Sequence, residues 1–268
     1  MMKRNSKSPF FVRNITFDFT DAKNFWAGDN PSLTMYFNAL SSLFPDGERY
    51  FVNSVRAVRD QVTDDVLRDK ITSFIGQEAM HSREHERLNQ TMERRGIPLS
   101  SFEAFASRGL AGVAFALSPK LQLAITCALE HFTASLAAEL LRRDDIQNLI
   151  EDEELLRLWI WHAVEEIEHK DVAFDVFKHV YGTSFAQRAA VMVLASIGLF
   201  VVHTWMTIRL CSKFSNLEAL ATLRTLYGRR GFITGIIPEM VKYFNPSFHP
   251  SKIDHVSLLK EWQERIKQ

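Results

Sequence analysis

The chain has 268 residues, of which 46% are hydrophobic and 24% are charged, and this balance predicts a globular protein with a sizeable buried core. The 32 basic and 32 acidic residues cancel, so no bulk charge would attract nucleic acid, and no nucleic-acid partner is expected. Cys127 and Cys211 lie far apart in helical surroundings, which favours neither a disulfide framework nor a thiolate zinc site and is typical of a cytoplasmic protein. The basic N-terminus does not resemble a signal peptide, because Arg13 and Asp18 interrupt the apolar residues after it.

The N-terminal part is predicted to contain an arm and two short helices. Residues 1–30 mix aromatic residues with turn formers, which predicts an arm packed across the domain surface. Asn30-Pro31 is typical of a helix start. This helix is expected to break at 44–47, which reads Phe-Pro-Asp-Gly, and Asp46 then caps a second helix. Glu48 lies on the apolar face of that second helix, near its N-terminus.

Further helices are predicted along the rest of the chain, and no strand-like alternation, internal repeat or low-complexity linker is visible. They cover 64–95, with Thr63 as cap and Gly96 as stop; 99–117; 118–143, with Ser118 as cap; 151–181; and, in the tail, 216–228, 234–244 and 254–267. The sequence therefore predicts one all-α domain, with an arm at 1–30, a four-helix core at 31–181 and C-terminal helices at 182–268.

Between Arg188 and Arg209 the sequence holds twenty residues without a charge, 189–208, which is long enough for a transmembrane helix. The imidazole of His203, several hydroxyl groups and similar positive charge at both ends argue against a span. We therefore predict a mainly buried helix that forms part of an apolar wall near the site. A membrane span and shallow membrane contact are the alternatives.

Two stretches of the sequence have the spacing of metal ligands on helices. One reads His-Ala-Val-Glu-Glu-Ile-Glu-His, and on a helix its His162, Glu166 and His169 lie within roughly 60° of one another, so they can reach one point beside the helix. Glu78 and His81 repeat the Glu-x-x-His spacing on another helix. Two such helices, with one Glu from each of two more, make the ligand set of di-iron and di-manganese carboxylate bundles.

The two remaining carboxylates are predicted to be Glu48 and Glu130, because each is embedded in an apolar stretch ahead of a Glu-x-x-His motif. Four carboxylates that face one another inside a bundle would be very costly without cations. Mixed oxygen and nitrogen ligands without thiolate suit iron or manganese, with zinc also compatible, and we expect two iron ions. The alternatives are a bundle whose buried polar residues satisfy one another and, for Glu48, a first-turn residue that only serves the helix dipole.

Residues near these motifs are assigned supporting positions. Glu165 is the alternative to Glu166 if the helix has a different frame. His85, one turn after the Glu-x-x-His of its helix, is expected to support a ligand, with a further ligand or a surface residue as alternatives. Asp171 and Asp175 are expected to accept hydrogen bonds from ligand imidazoles.

These motifs resemble those of known families. The set Glu48, Glu78-x-x-His81, Glu130 and Glu166-x-x-His169 resembles the ferritin-like di-iron superfamily, which implies a ferritin-like four-helix bundle with additional C-terminal helices. With His162 included, the His-x-x-x-Glu-x-x-His spacing is similar to the p-aminobenzoate N-oxygenase group, whose di-iron site carries a third histidine. This second resemblance is confined to ligand spacing and does not extend to the arylamine substrate.

A third resemblance covers most of the chain, from Phe44-Pro45-Asp46-Gly47-Glu48 through Gln77-Glu78-Ala79-Met80-His81-Ser82-Arg83-Glu84-His85 onward. Here the sequence is similar to the bacterial family labelled "predicted metal-dependent hydrolase". That label implies hydrolysis, which the ligand pattern by itself does not favour.

Together these features predict an enzyme with a di-metal centre. We expect an O₂-activating oxygenase or oxidase with a small, partly hydrophobic substrate and an electron donor. The alternative is a metal-dependent hydrolase, in which a metal lowers the pKa of water, although no further general base is evident. A storage or ferroxidase protein is a third class, which the C-terminal extension and the third histidine disfavour. A cytoplasmic location is expected, with membrane association through 189–208 and a homodimer as open alternatives.

Overall fold

The computed structural model describes residues 10–182, 184–213 and 219–266, and these residues form helices and no β-strand, so the all-α prediction is confirmed. An isolated bridge joins Ala27 and Ile150. The helices are α1 (Pro31–Arg56), α2 (Asp65–Arg94), α3 (Ser100–Ala116), α4 (Pro119–Arg142), α5 (Asp144–Gln147), α6 (Glu153–His169), α7 (Val172–Tyr181), α8 (Phe185–Cys211), α9 (Ala219–Tyr227), α10 (Phe232–Gly235), α11 (Ile237–Lys242) and α12 (Val256–Arg265). Residues 1–9 of the predicted arm and 216–218 of the predicted tail helix lie outside the described residues.

Helices α1, α2, α4 and α6 pack into a bundle that is compatible with a ferritin-like fold. Each contributes buried polar residues at mid-bundle, with apolar clusters on both sides. On α1, for example, Phe37 belongs to one cluster and Val55 to the other, and Glu48 lies between them. The apolar clusters stabilise the bundle, and the buried polar side chains lie in the layer between them.

The predicted break at 44–47 is wrong, because α1 continues through Pro45 as a helix of 26 residues. Proline has no N–H group and leaves the carbonyl four residues earlier, that of Ser41, without its helical donor. Asn89 of α2 supplies the donor instead, with Nδ2 3.1 Å from the Ser41 oxygen. A side chain from a neighbouring helix thus keeps α1 continuous, and Glu48 lies in the middle of a helix and not near an N-terminus.

Further helix boundaries differ from the prediction, and the tail helix predicted at 234–244 is two short helices, α10 and α11. The side chain of Asp64, and not Thr63, caps α2 by accepting a hydrogen bond from the Leu67 amide at 3.0 Å. The predicted helix at 151–181 is two helices, because α6 ends at His169 and α7 begins at Val172. Lys170 at this break donates to the Ile253 carbonyl at 2.7 Å, which ties the junction to the C-terminal segment.

The predicted burial of 189–208 is wrong. Only 17% of the most apolar window of α8 is buried, and its large side chains include Leu194 at 69% exposed and Ile208 at 62% exposed. By length and hydropathy α8 and the mostly buried α4 could each cross a membrane, and the same test is met by core helices of soluble proteins. The sequence pattern identified an apolar helix but not which of its faces the bundle covers.

The N-terminal arm crosses the bundle over α2. Val12 approaches Gly76 so closely that a Cβ atom at this position would lie 2.4 Å from a Val12 methyl group. Arg83 holds the next part of the arm, with Nη2 2.6 Å from the Ile15 carbonyl. Phe17 is 1% exposed and packs on Trp161 of α6. The part of the arm from residue 10 onward therefore contributes to the core.

The continuity of α1 can be tested with a double-mutant cycle on Pro45 and Asn89. Asn89→Ala should lower the free energy of unfolding by about 1–3 kcal/mol, because it leaves the buried Ser41 carbonyl without a donor. In a Pro45→Ala background the helix supplies that donor, so the same substitution should cost less, as measured by chemical denaturation. An equal cost of Asn89→Ala in both backgrounds would contradict this account of the helix.

Candidate metal centre

The structure brings together all seven side chains that the sequence predicted as metal ligands. Each is at most 4% exposed, and they come from the four helices of the bundle. Two groups have ligand atoms within 4.8 Å of one another: Glu48, His81 and His162 in one, and Glu78, Glu166 and His169 in the other. Glu130 of α4 lies beside the second group, with Oε2 3.6 Å from Nε2 of His169.

Glu166 joins the two groups into one centre. Its Oε1 atom lies 3.1 Å from Nε2 of His162, 3.6 Å from Nε2 of His169 and 3.9 Å from Nδ1 of His81. One carboxylate oxygen thus faces three imidazoles, two of them from its own helix. The other oxygen accepts a hydrogen bond from the Thr133 hydroxyl, which fixes the orientation of the carboxylate. Glu166 therefore lies between the two groups of candidate ligands.

The pattern of unpaired atoms tests whether the residues fit metal ions. Of twelve buried side-chain nitrogen and oxygen atoms without a hydrogen-bond partner among the described residues, seven belong to the candidate ligands. They are Oε1 of Glu48, both Oε atoms of Glu78, Nδ1 of His81, both Oε atoms of Glu130 and Nε2 of His169. Glu78 Oε1 and His169 Nε2 are 3.0 Å apart but are not aligned as a hydrogen bond. Atoms of this kind inside a core fit coordination to cations.

Burial and neighbouring charges shift the pKa values of several candidate ligands. Burial raises the pKa of Glu48 and of Glu130 well above the ordinary value for a carboxyl group, and in both cases the charge of Glu78 raises it further. Burial also opposes ionisation of Glu166, but its two imidazole neighbours bring its pKa well below the ordinary value. Burial lowers the pKa of His81, so its imidazole stays in the neutral form that a metal ion requires. Cations would relieve the repulsion among the four carboxylates.

The choice between Glu165 and Glu166 is decided by the direction in which each side chain points. Glu165 Oε2 lies 3.1 Å from Nε2 of His81, so this ring nitrogen is engaged outside the centre and Nδ1 remains free to bind a metal ion. Trp161 donates to the other oxygen of Glu165 at 2.9 Å. Burial raises the pKa of Glu165 to about 7, against the opposing effect of Arg13. Glu165 therefore orients a candidate ligand.

The other two imidazoles are oriented by residues of α2. Nε2 of His85 lies 2.8 Å from Nδ1 of His162, and the complete burial of His85 excludes the surface position considered from the sequence. His169 is oriented by Gln77, whose Oε1 lies 2.9 Å from Nδ1. Gln77 was not among the predicted residues, although its place directly before the Glu-x-x-His of α2 was a usable signal.

Asp171 and Asp175 do not have the predicted contacts with ligand imidazoles. Lys70 lies 3.3 Å from Asp171, and His249 lies 2.8 Å from Asp175. The prediction assumed one helix through 181, but the break after His169 ends the helical register on which it depended.

An arginine of the N-terminal arm supports the centre from outside. Arg13 contacts Glu165 at 2.9 Å and Glu168 at 2.6 Å, and all three side chains are at most 9% exposed. Glu168 in turn accepts a hydrogen bond from Gln77 at 2.8 Å. Arg13 therefore contacts Glu165, the partner of His81, and reaches Gln77, the partner of His169, through Glu168. This role of Arg13 was not predicted, because nothing local to Arg13 indicates which helix the arm will contact.

An apolar cavity of about 40 Å³ adjoins the centre. It is lined by Phe37, Leu40, Phe44, Thr133, Leu136, Ala137, Leu140, Trp159, His162, Ala163, Glu166 and Phe232. The indole N–H of Trp159 has no hydrogen-bond partner among the described residues. The cavity therefore offers an apolar space in direct contact with two candidate ligands.

Comparison with known proteins gives one match. The model of a family described as "Predicted metal-dependent hydrolase" matches residues 11–254, which includes the arm, the bundle and most of the C-terminal helices. No curated protein and no solved structure matches the chain.

The centre can be tested by substitution and metal analysis. Glu130→Gln should reduce the metal content by at least one ion per chain, as measured by elemental analysis, because it removes a charged ligand oxygen. The same substitution should leave the metal-free protein at least as stable, because it removes a buried carboxylate that lacks a partner. Glu139→Gln, on the same helix but paired with Arg143, is the matched control and should retain full metal content. Unchanged metal content in Glu130→Gln would contradict the assignment.

The supporting role of Arg13 gives a second prediction. Arg13→Met should weaken metal affinity about 10–100-fold, because two carboxylates lose their counter-charge: Glu165, which orients His81, and Glu168, which accepts from the Gln77 beside His169. Competition with a chelator measures this effect. Arg83→Met is the control, since Arg83 also holds the arm but contacts neither Glu165 nor Glu168. If both variants lose affinity equally, docking of the arm and not orientation of the ligands is responsible.

Proposed function

Because the chain belongs to the family of predicted metal-dependent hydrolases, we propose that it is an enzyme whose reaction takes place at two metal ions in the bundle. The observation that supports this proposal is the set of seven buried, unpaired ligand atoms on side chains that converge from four helices. We further propose membership of the ferritin-like superfamily, since two Glu-x-x-His helices and one Glu from each of two others surround the centre.

In this proposal the seven side chains divide between two ions. Glu48, His81 and His162 would hold one ion, and Glu78, Glu166 and His169 the other, with Glu130 beside the second. Four carboxylates would neutralise two divalent ions. When bound, the ions would supply either polarisation of water for hydrolysis or, if they are iron, the electrons that activate O₂.

Hydrolysis is the reaction class that the family description favours, and we propose it first. The chain's own contribution would be to hold the ions, to orient the imidazoles and to admit the substrate beside His162 and Glu166.

Oxygen activation is the second candidate, and two observations favour it. The ligands are carboxylates and imidazoles with no thiolate, which suits iron. The cavity beside them is almost wholly apolar, which suits O₂ and a hydrophobic substrate better than a charged ester of phosphoric acid. Under either proposal, the substrate portion that enters the cavity is apolar.

One experiment separates the two reaction classes. Zinc- or manganese-loaded protein is assayed against a panel of apolar carboxylic esters, amides and phosphodiesters, and anaerobically reduced, iron-loaded protein is assayed for O₂ uptake. Hydrolytic turnover that is lost in Glu166→Ala and kept in Glu139→Ala is the result expected of a hydrolase. Stoichiometric O₂ uptake with the same dependence on Glu166, together with no hydrolysis, would overturn hydrolysis and support the second candidate. Absence of both activities in fully metal-loaded protein would contradict an enzymatic role of either class.

A further inference from the structure

The outward face of α8 is unusual for a helix on a globular protein. Its exposed positions 193, 194, 197, 200, 201, 205 and 208 follow helical spacing, and all seven carry large hydrophobic side chains that are 42–69% exposed. A surface helix normally turns a polar face to water. Side chains of this size and number on one stripe indicate that the stripe is covered in the working state of the protein.

The inward face of α8 fixes how the helix lies. Met192, His203, Met206 and Leu210 are buried, and Nε2 of His203 lies 3.0 Å from the Tyr36 carbonyl of α1. At its other end Arg188 contacts the backbone carbonyls of Tyr243 and Asn245. The helix is therefore attached to the bundle along its length, about 40 Å. Lipid cannot surround it, as it would surround a transmembrane helix.

The apolar surface extends to the neighbouring helices on both sides. Phe105 of α3 is 43% exposed and packs against Trp205, with ring centroids 4.8 Å apart. Beyond it, α3 ends in an uncharged segment, and Phe115 there is 95% exposed. On the other side Tyr227 of α9 contacts Phe200. This apolar face, formed by α3, α8 and α9, is wider than the single seam that a partner helix would cover.

Exposed basic residues accompany the apolar face. They are Arg209, Lys213, Arg224, Arg229 and Arg230, and none has a carboxylate partner among the described residues. Arg224, Arg229 and Arg230 flank Tyr227 in sequence, and Arg209 follows the exposed stripe directly. Between 185 and 250 the only acidic residues are Glu218 and Glu239, and Glu239 is engaged by Arg142 and His255. A chain with no net charge thus concentrates positive charge next to the exposed apolar stripe of α8.

We propose that the apolar face of α3, α8 and α9 is a membrane-binding surface that holds the protein on an anionic phospholipid bilayer. The hydrophobic stripe would enter the boundary between headgroups and acyl chains, with α8 parallel to the membrane, and the five basic residues would lie at the level of the lipid phosphates. Phe232, which lines the cavity, follows Arg229, Arg230 and Gly231 directly, so the cavity lies close to this surface. A substrate dissolved in the membrane would have a short path to the centre.

The charge distribution favours a membrane over a second copy of the chain. In a two-fold dimer through this face, the basic residues would meet the same basic residues, and neither α8 nor α9 carries a carboxylate to pair them. An anionic bilayer matches both the apolar stripe and its positive neighbours, and each basic residue near such a surface contributes to binding.

The proposal is tested by flotation of the full-length, metal-loaded protein with vesicles of phosphatidylcholine alone or with phosphatidylserine added. The protein should float with the mixed vesicles, and raising the salt concentration should weaken binding. Leu194→Ser with Val201→Ser should abolish flotation without changing the unfolding transition, because both side chains are exposed. Arg229→Gln with Arg230→Gln should weaken partitioning about 30-fold.

Matched controls come from exposed residues on other helices. Val256→Ser on α12, where the side chain is 66% exposed, should leave flotation unchanged, and so should Arg68→Gln with Lys260→Gln. If the protein does not float with the mixed vesicles, the proposal is overturned. So would a stable dimer in solution that Leu194→Ser with Val201→Ser dissociates, since the face would then be an interface between copies. Vesicle binding needs no enzymatic assay, so its outcome is independent of the proposed reaction.

Discussion

Four carboxylates buried together in one helical bundle are the constraint on which the rest of this structure depends. Without cations, the repulsion among them and the loss of their hydration would oppose folding, and their unpaired oxygen atoms have no protein donors to replace water. The bundle tolerates the arrangement because apolar clusters on both sides supply the stability that this layer lacks. The core thus consists of an apolar cluster at each end and the candidate metal ligands between them.

The residues around the ligands form a second layer that is continuous from the imidazoles to the N-terminal arm. Each of the three candidate histidine ligands has one ring nitrogen engaged by a buried partner: Glu165, His85 or Gln77. Arg13 then balances the charges of Glu165 and Glu168. The arm is therefore coupled to the centre even though it contributes none of the seven candidate ligands. Partners of this kind fix the orientation of an imidazole ligand, and their loss typically weakens metal affinity by about 10–100-fold.

The molecule also reverses the usual distribution of polarity in two places. Its interior holds a charged layer, and its outer helix α8 turns a hydrophobic face to the surroundings. The two features are close in space, since α8 is attached to α1 and the cavity beside the centre is lined partly by α1. An apolar cavity beside a buried centre and an apolar, basic outer surface are consistent with a hydrophobic substrate.

The sequence by itself determined the helical class, most helix positions and the seven candidate ligands, because i, i+3 and i, i+4 spacing on a helix is a local property. The tertiary structure decided what depended on distant partners. Pro45 remains inside a helix because Asn89, 44 residues later, supplies a donor, and Glu165 lies outside the centre because Arg13 and His81 engage it. The exposure of α8 was likewise undetermined, since hydropathy gives the composition of a helix but not the neighbour that covers each face.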